Sequence, residues 1–157
     1  MTINPIIVQA GGPVPTGLVD RSATDLDLSG LGDTGGIGDG AFYVWVSLTS
    51  LILPAGLTGS IGEYAFYGCS SLTSLDVPAG TTSIGDGAFY DCTALEYLIF
   101  RSTSVVALGN TWSFDGTTCL IYVPADLVDA YKTANNWSTL ADRIHPIPEE
   151  FLPKEPL

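Results

Sequence analysis

At 157 residues the chain fits one domain, long enough to bury a continuous core, and 46% hydrophobic residues with a mean hydropathy of +0.33 exclude global disorder. Only 14% of residues are charged, with 17 Asp and Glu against 5 Lys and Arg and a net charge of -12. That sign repels phosphate backbones, whose binding rests on Lys and Arg contacts that release counterions. Nucleic acid and anionic membrane are therefore set aside, and a cationic partner or sensitivity to divalent ions is the positive implication.

Residues 1–22 are rich in Pro, Gly and aliphatics without an amphipathic period, which predicts an extended arm. Ile3, Ile6, Ile7 and Val8 are suited to adding a strand to a neighbour, a mode of anchoring in multicopy assemblies or homo-oligomers. No basic region precedes the Ile6-Ile7-Val8 run, which is too short for a signal peptide or a membrane span. The expectation is a leader removed or never present, or export by another route such as assembly into a virus particle.

From residue 23 the sequence repeats. Ile37-Gly-Asp-Gly-Ala-Phe-Tyr43, Ile61-Gly-Glu-Tyr-Ala-Phe-Tyr67 and Ile84-Gly-Asp-Gly-Ala-Phe-Tyr90 recur at about 24 and 23 residues, a period that means stacked coils. A strand-like segment follows each block: Leu48-Thr-Ser-Leu-Ile-Leu-Pro54, Leu72-Thr-Ser-Leu-Asp-Val-Pro78 and Leu95-Glu-Tyr-Leu-Ile-Phe-Arg101. Weaker copies lie outside them at Leu26-Asp-Leu28 and Ile121-Tyr-Val-Pro124, and Leu108-Gly-Asn-Thr-Trp-Ser-Phe114 is a degenerate fourth block. The layout is an α/β repeat solenoid over 23–124 with about five parallel ladder strands. The outer residues of Leu51-Ile52-Leu53 point inward, and the Ile, Ala and Phe of each block form the opposite wall of the core. Gly38, Gly40, Gly62, Gly85 and Gly87 are backbone positions needing positive φ or close approach.

Residues 125–147 break the period. Leu127, Val128, Tyr131 and Ala134 recur at helical spacing, and a second short helical turn is expected around Trp137 to Ile144. A solenoid end exposes its interior, so this segment reads as a helical cap with Tyr131 and Trp137 as plugs. Residues 148–157, with three prolines, read as an extended tail.

The pattern IGxxAFxxCxxLxxLxLP resembles the BspA-type leucine-rich repeat, found in bacterial surface proteins, some parasite surface proteins and proteins of gut-bacterial phages. The resemblance covers about residues 23–147. It places Cys69 and Cys92 on the family's inward-facing Cys position, where Trp45 and Thr117 stand in the flanking coils. The start MTINPII is similar to short leaders of phage structural proteins. These resemblances imply a noncatalytic virion-surface decoration or attachment protein. The alternative is a secreted, adhesin-like bacterial surface domain binding a host protein or glycan.

Residues that look chemical have plainer explanations. Three cysteines, Cys69, Cys92 and Cys119, cannot all pair within one chain, and they show no metal-ligand spacing. Asp33-Thr34-Gly35 spells the aspartic-protease triplet once, where two carboxylates are needed. Asp25, Asp27 and Ser29 imitate the start of a calcium loop whose closing Glu is missing. Asp39, Glu63 and Asp86 form a column of turn acids, with a weakly held cation as a minor alternative. His145 is the single histidine and belongs structurally to the cap. No cofactor, metal or catalytic residue is assigned.

Two surfaces remain for a protein or glycan partner. On the strand face the outward column is Asp27, Ile52, Asp76, Ile99 and Tyr122, with Tyr97 beside it. The second is the column Tyr43, Tyr67 and Tyr90, whose rings are amphipathic.

Overall fold

Apolar residues at alternate positions send their side chains to one side of an extended backbone, and the hydrophobic effect turns that side inward. A computed structural model of the chain describes residues 22–30 and 35–154. The proposed arm, with Ile3, Ile6, Ile7 and Val8, and the pair Asp33 and Thr34 lie outside the described residues. In chain order the strands are β1 (Asp25–Asp27), β2 (Ser50–Ile52), β3 (Thr58–Ile61), β4 (Ser74–Val77), β5 (Gly80–Ile84), β6 (Tyr97–Phe100), β7 (Ala107–Leu108), β8 (Leu120–Val123) and β9 (Ile144–Pro146).

All pairings are parallel. Strands β4, β6, β8 and β9 form one sheet in which Leu75, Leu98, Ile121 and Ile144 stand in register, and β1 pairs with β2 through Leu26 and Leu51. The side chains of these six residues are buried. Between β2 and β4 the ladder hydrogen bonding gives out, and the coils are tied there by the Thr73 amide and the Ser71 hydroxyl, which donate to Thr49 O at 3.5 Å and Val46 O at 2.5 Å.

The sequence reading counts about five ladder strands and leaves the opposite wall to turns. The structure adds two things. Ile144-His145-Pro146, assigned to the cap, pairs with β8 as a sixth ladder strand. Strands β3, β5 and β7 make a second parallel sheet that aligns Ile61, Ile84 and Leu108, with Ile37 bridged to Ile61. Its Gly, Ser and Thr residues carry no apolar alternation, which is why the period-2 signal is missing.

The blocks stack beyond these strands. The Phe42, Phe66 and Phe89 amides donate to Ala65, Ala88 and Ser113 carbonyls of the next coil at 2.7, 2.8 and 3.0 Å. Rings of Phe42, Phe66, Phe89 and Phe114 stack in sequence, 5.2, 5.3 and 5.4 Å apart. Gly40 and Gly87 take φ of 62° and 63°, and Tyr64 occupies the same column at 55°, accepting the left-handed backbone that glycine adopts without strain. Gly62 and Gly85 serve close approach instead, since a Cβ on Gly85 would lie 2.5 Å from the Glu63 nitrogen.

The cysteines form an internal ladder. Cys69 Sγ donates to Phe42 O and Cys92 Sγ to Phe66 O, each at 3.0 Å and each reaching the preceding coil. Trp45 holds the same column one coil earlier, and its buried Nε1 has no partner among the described residues. Burial pushes the Cys69 thiol up to about 12 and raises those of Cys92 and Cys119.

Residues 125–147 contain one helix, α1 (Val128–Thr133), between 3-10 turns at Ala125–Leu127 and Trp137–Arg143. Tyr131 and Trp137 are fully buried, and the Trp137 ring lies 5.7 Å from both Phe100 and Phe114. The Val106 backbone is gripped at both ends: its amide donates to the Tyr131 hydroxyl at 3.0 Å, and Trp137 Nε1 donates to its carbonyl at 2.6 Å. The tail departs from the extended form expected of it. Glu149–Phe151 is a 3-10 turn that folds back onto the strand face.

Two predictions follow from this packing. Phe66→Ala removes a ring stacked on both faces and costs about 3–5 kcal/mol in urea unfolding, whereas Tyr43→Ala at the surface costs below about 1 kcal/mol. Equal losses would mean that the Phe column is not the core. The cysteine thiols have folded values raised above the ordinary 9.0, so their stabilising effect is complete below that value and is lost as pH rises through it toward about 12. In reducing buffer the urea midpoint therefore falls between pH 8 and 9.5, and falls less in a Cys69→Ser, Cys92→Ser double variant; parallel curves would contradict the burial argument.

Candidate functional site

The outer face of the ladder is built from side chains that the core does not use. Asp27, Ile52 and Asp76 are exposed there, with Ile52 at 51% the most open aliphatic of the column. Asp27 is engaged locally: the Ser29 hydroxyl and amide hydrogen-bond its carboxylate and hold its carboxyl below the usual range.

Ile99 corrects the expectation. It stands in register between Asp76 and Tyr122 on the outward side, yet it is only 3% exposed. The returning tail packs on the two tyrosines that flank Ile99. The Phe151 ring lies 5.2 Å from Tyr97 and 6.2 Å from Tyr122, the two aromatic neighbours of Ile99 on this face. Tyr97 and Tyr122 are themselves half-buried, with centroids 5.8 Å apart. The strand face therefore has a covered half at β6 and β8 and an open half at β2 and β4.

Between the halves stands Arg101, absent from the residues singled out in the sequence. Its Nε and Nη2 donate to the two carboxylate oxygens of Asp76 at 2.9 and 2.8 Å, and its Nη1 donates to Phe151 O at 2.6 Å. The Asp76 carboxylate holds the guanidinium further toward its charged form. A signal for Arg101 does exist in the sequence: it occupies the position taken by Pro54, Pro78 and Pro124 in three other coils.

The open half carries a hollow of about 560 Å³ lined by Leu51, Ile52, Leu53, Asp76, Pro78 and Arg101, among others. It lies across the seam where β2 and β4 fail to pair. Its lining is mostly apolar and includes the ion pair of Asp76 and Arg101, a composition that suits an inserted apolar side chain flanked by polar main chain.

The tyrosine column also forms, with Tyr43, Tyr67 and Tyr90 stacked at 5.0 Å intervals. Desolvation, then its neighbour Tyr43, raises the Tyr67 hydroxyl. Two aromatics overlooked in the sequence extend it. Tyr64 lies 6.0 Å from Tyr67, and Trp112 lies 5.9 Å from Tyr64 and 6.0 Å from Tyr90. Gly87 admits both rings, since a Cβ there would come within 2.8 Å of each. Stacking consumes the ring faces and leaves mostly edges and hydroxyls outward, whereas a sugar platform needs an open face.

The remaining candidates separate. Asp39 Oδ1 accepts the Glu63 amide at 2.8 Å, a clamp between coils. Leu26 and Leu28 are buried, as their inward phase requires. His145 is exposed on β9 beside Tyr122. No group of three or more His, Cys, Asp or Glu that could hold a metal ion occurs among the described residues. Nor is any helix there long and apolar enough to cross a membrane.

Comparison with known proteins agrees with the repeat geometry. A leucine-rich repeat protein from Bacteroides ovatus ATCC 8483 superposes with a TM-score of 0.54 at 30% identity, over 69% of this chain and 27% of its own. A leucine rich cell surface protein from Faecalibacterium prausnitzii A2-165 aligns at 23% identity with a TM-score of 0.49, over 83% of this chain and 35% of its own. The chain thus spans 27% and 35% of the lengths of these two proteins. No curated protein matches it. The family model for the BspA type leucine rich repeat region matches residues 35–125 in six copies. With its stacked IGxxAF blocks, parallel ladder and inward cysteine column, the chain belongs to the BspA type leucine-rich repeat family.

Proposed function

We propose that the chain is a noncatalytic protein-binding module at a cell or particle surface, and that the open half of its strand face receives the partner. One observation carries the reading: Ile52 is 51% exposed on the outer face of the ladder, where it lines an apolar hollow. An exposed aliphatic lining an apolar hollow gains free energy when covered, about 25 cal/mol per Å² of apolar surface removed from water. The net charge of -12 favours a partner with a basic rim around its apolar contact.

The test is Ile52→Asp. The substitution lies on an exposed side chain, so unfolding free energy stays within about 0.5 kcal/mol of the parent. Binding of surface proteins captured by the parent chain should be lost, with Tyr43→Asp retaining it. Loss on Tyr43→Asp with Ile52→Asp unaffected would move the site to the tyrosine column. Ile99→Asp is unsuitable, because that side chain is buried.

A second reading makes the particle a virion and residues 1–22 its anchor, favoured by the MTINPII leader and the aliphatics Ile3, Ile6, Ile7 and Val8. Under it, a chain lacking residues 1–22 keeps its fold and no longer co-sediments with assembled particles. Undiminished co-sedimentation would end the anchoring role.

A further inference from the structure

The covered half of the strand face is occupied by the chain's own tail. Two contacts between described side chains and the tail stand out: the Phe151 ring against Tyr97 and Tyr122, and the Phe151 carbonyl on Arg101 Nη1 at 2.6 Å. The tail's other hydrogen bonds are local, from the Phe151 amide to Pro148 O and from the Leu152 amide to Glu149 O. Glu149, Glu150 and Leu152 are exposed. A segment held by one ring and one carbonyl is recognised by features that any polypeptide bearing an aromatic residue can present.

The receiving side is preformed. Arg101 is fixed by both oxygens of Asp76, so its remaining nitrogen points at a defined place without the tail's help. Tyr97 and Tyr122 belong to paired strands in the middle of the ladder. The attachment point is close at hand, since the Ile147 amide is tied to Val123 O at 2.9 Å and only three residues separate it from Phe151. Asp76 and Arg101 also line the open hollow, so the aromatic seat and the Ile52 hollow are one continuous surface divided by the ion pair.

We propose that residues 148–152 are an intramolecular ligand that occupies an aromatic-peptide seat formed by Tyr97, Ile99, Tyr122 and Arg101, and that a partner polypeptide carrying an aromatic residue displaces them when it binds. The proposal rests on the strand-face reading above and adds its regulation. A tail tethered by three residues acts at an effective concentration in the millimolar range. Segments that fill the seat alone therefore displace the tail only in large excess, and tight binding is confined to partners that also fill the neighbouring hollow. The partner class follows from the seat: an aromatic side chain whose own carbonyl is free, followed by main chain that reaches an apolar residue into the hollow.

A fluorescein-labelled peptide with the sequence of residues 147–154 is titrated into the full-length chain and into Phe151→Ala. The variant vacates the seat at a half-buried position of the chain's terminal turn, so its circular dichroism should match the parent. The peptide is expected to bind Phe151→Ala at least about tenfold more tightly than the parent. Adding Arg101→Ala to that variant should weaken binding by about tenfold or more, and a peptide with Ala in place of Phe should not bind. Equal binding by parent and Phe151→Ala, or binding by neither, overturns the proposal. Should Phe151→Ala misfold, hydrogen exchange on the parent decides: excess peptide accelerates exchange of the Phe151 and Leu152 amides, and unchanged protection overturns the idea. Concentration-dependent dimerisation of the parent that is lost in Phe151→Ala would make the occupant a second copy's tail and overturn the foreign partner. Ile52→Asp lies outside the seat and leaves peptide binding intact, so the strand-face reading and the seat fail in separate experiments.

Discussion

The stack of phenylalanine rings sets the pitch of the molecule. Each of Phe66 and Phe89 is covered on one face by the ring before it and on the other by the ring after it, at 5.2 to 5.4 Å. A single coil has nothing to place on those faces, so no coil is stable alone, and the period of 23 to 24 residues follows from returning the ring to the same place each turn. The same requirement explains the end of the stack. Phe114 meets the Trp137 ring at 5.7 Å where a fifth phenylalanine would stand, and this draws residues 125–147 against the last coil. Ladder strands, back strands and the cysteine column keep the coils in register around that spine.

Because the spine commits the inward positions, individuality is left to substitutions the stack tolerates. Tyr64 stands where the first and third blocks have glycine, and joins Tyr67 and Trp112 on the outer turn. Arg101 stands where three other coils have proline, and becomes the junction of face and tail. Ile52 stands where its neighbours above and below are aspartates, and opens the apolar hollow. In a repeat, departures from the consensus are cheap to read, since each is judged against its own copies a coil away.

What the sequence made legible was whatever recurs. The blocks and the inward phase of Leu26, Leu51, Leu75, Leu98 and Ile121 follow from period and alternation, the inward Cys69 and Cys92 follow from the family resemblance, and the structure has them all. The second sheet escaped because Thr58–Ile61 and Gly80–Ile84 bury few side chains and owe their pairing to backbone groups. The burial of Ile99 escaped for a different reason. Its phase is outward, and its flanking tyrosines, Tyr97 and Tyr122, are packed by Phe151, 52 residues later in the chain and outside any repeat. Alternation reports which side a residue faces, never what lies against that side.

Arg101 shows why the identity of this one side chain matters in a chain with only 5 Lys and Arg. Three acceptors converge on it, two oxygens of Asp76 and the Phe151 carbonyl, at 2.6 to 2.9 Å. A planar guanidinium meets them from three separate nitrogens at once, whereas the ammonium of lysine is a single point that would have to choose between strand and tail. The pair is partly open to water, with side-chain exposures of 26% and 55%, so its Coulomb energy is screened and contributes little to stability. Its effect is geometric. It holds a donor at the boundary of the open and covered halves, where the tail's carbonyl now sits, and it joins the hollow at Ile52 to the seat at Tyr97 in one recognition surface.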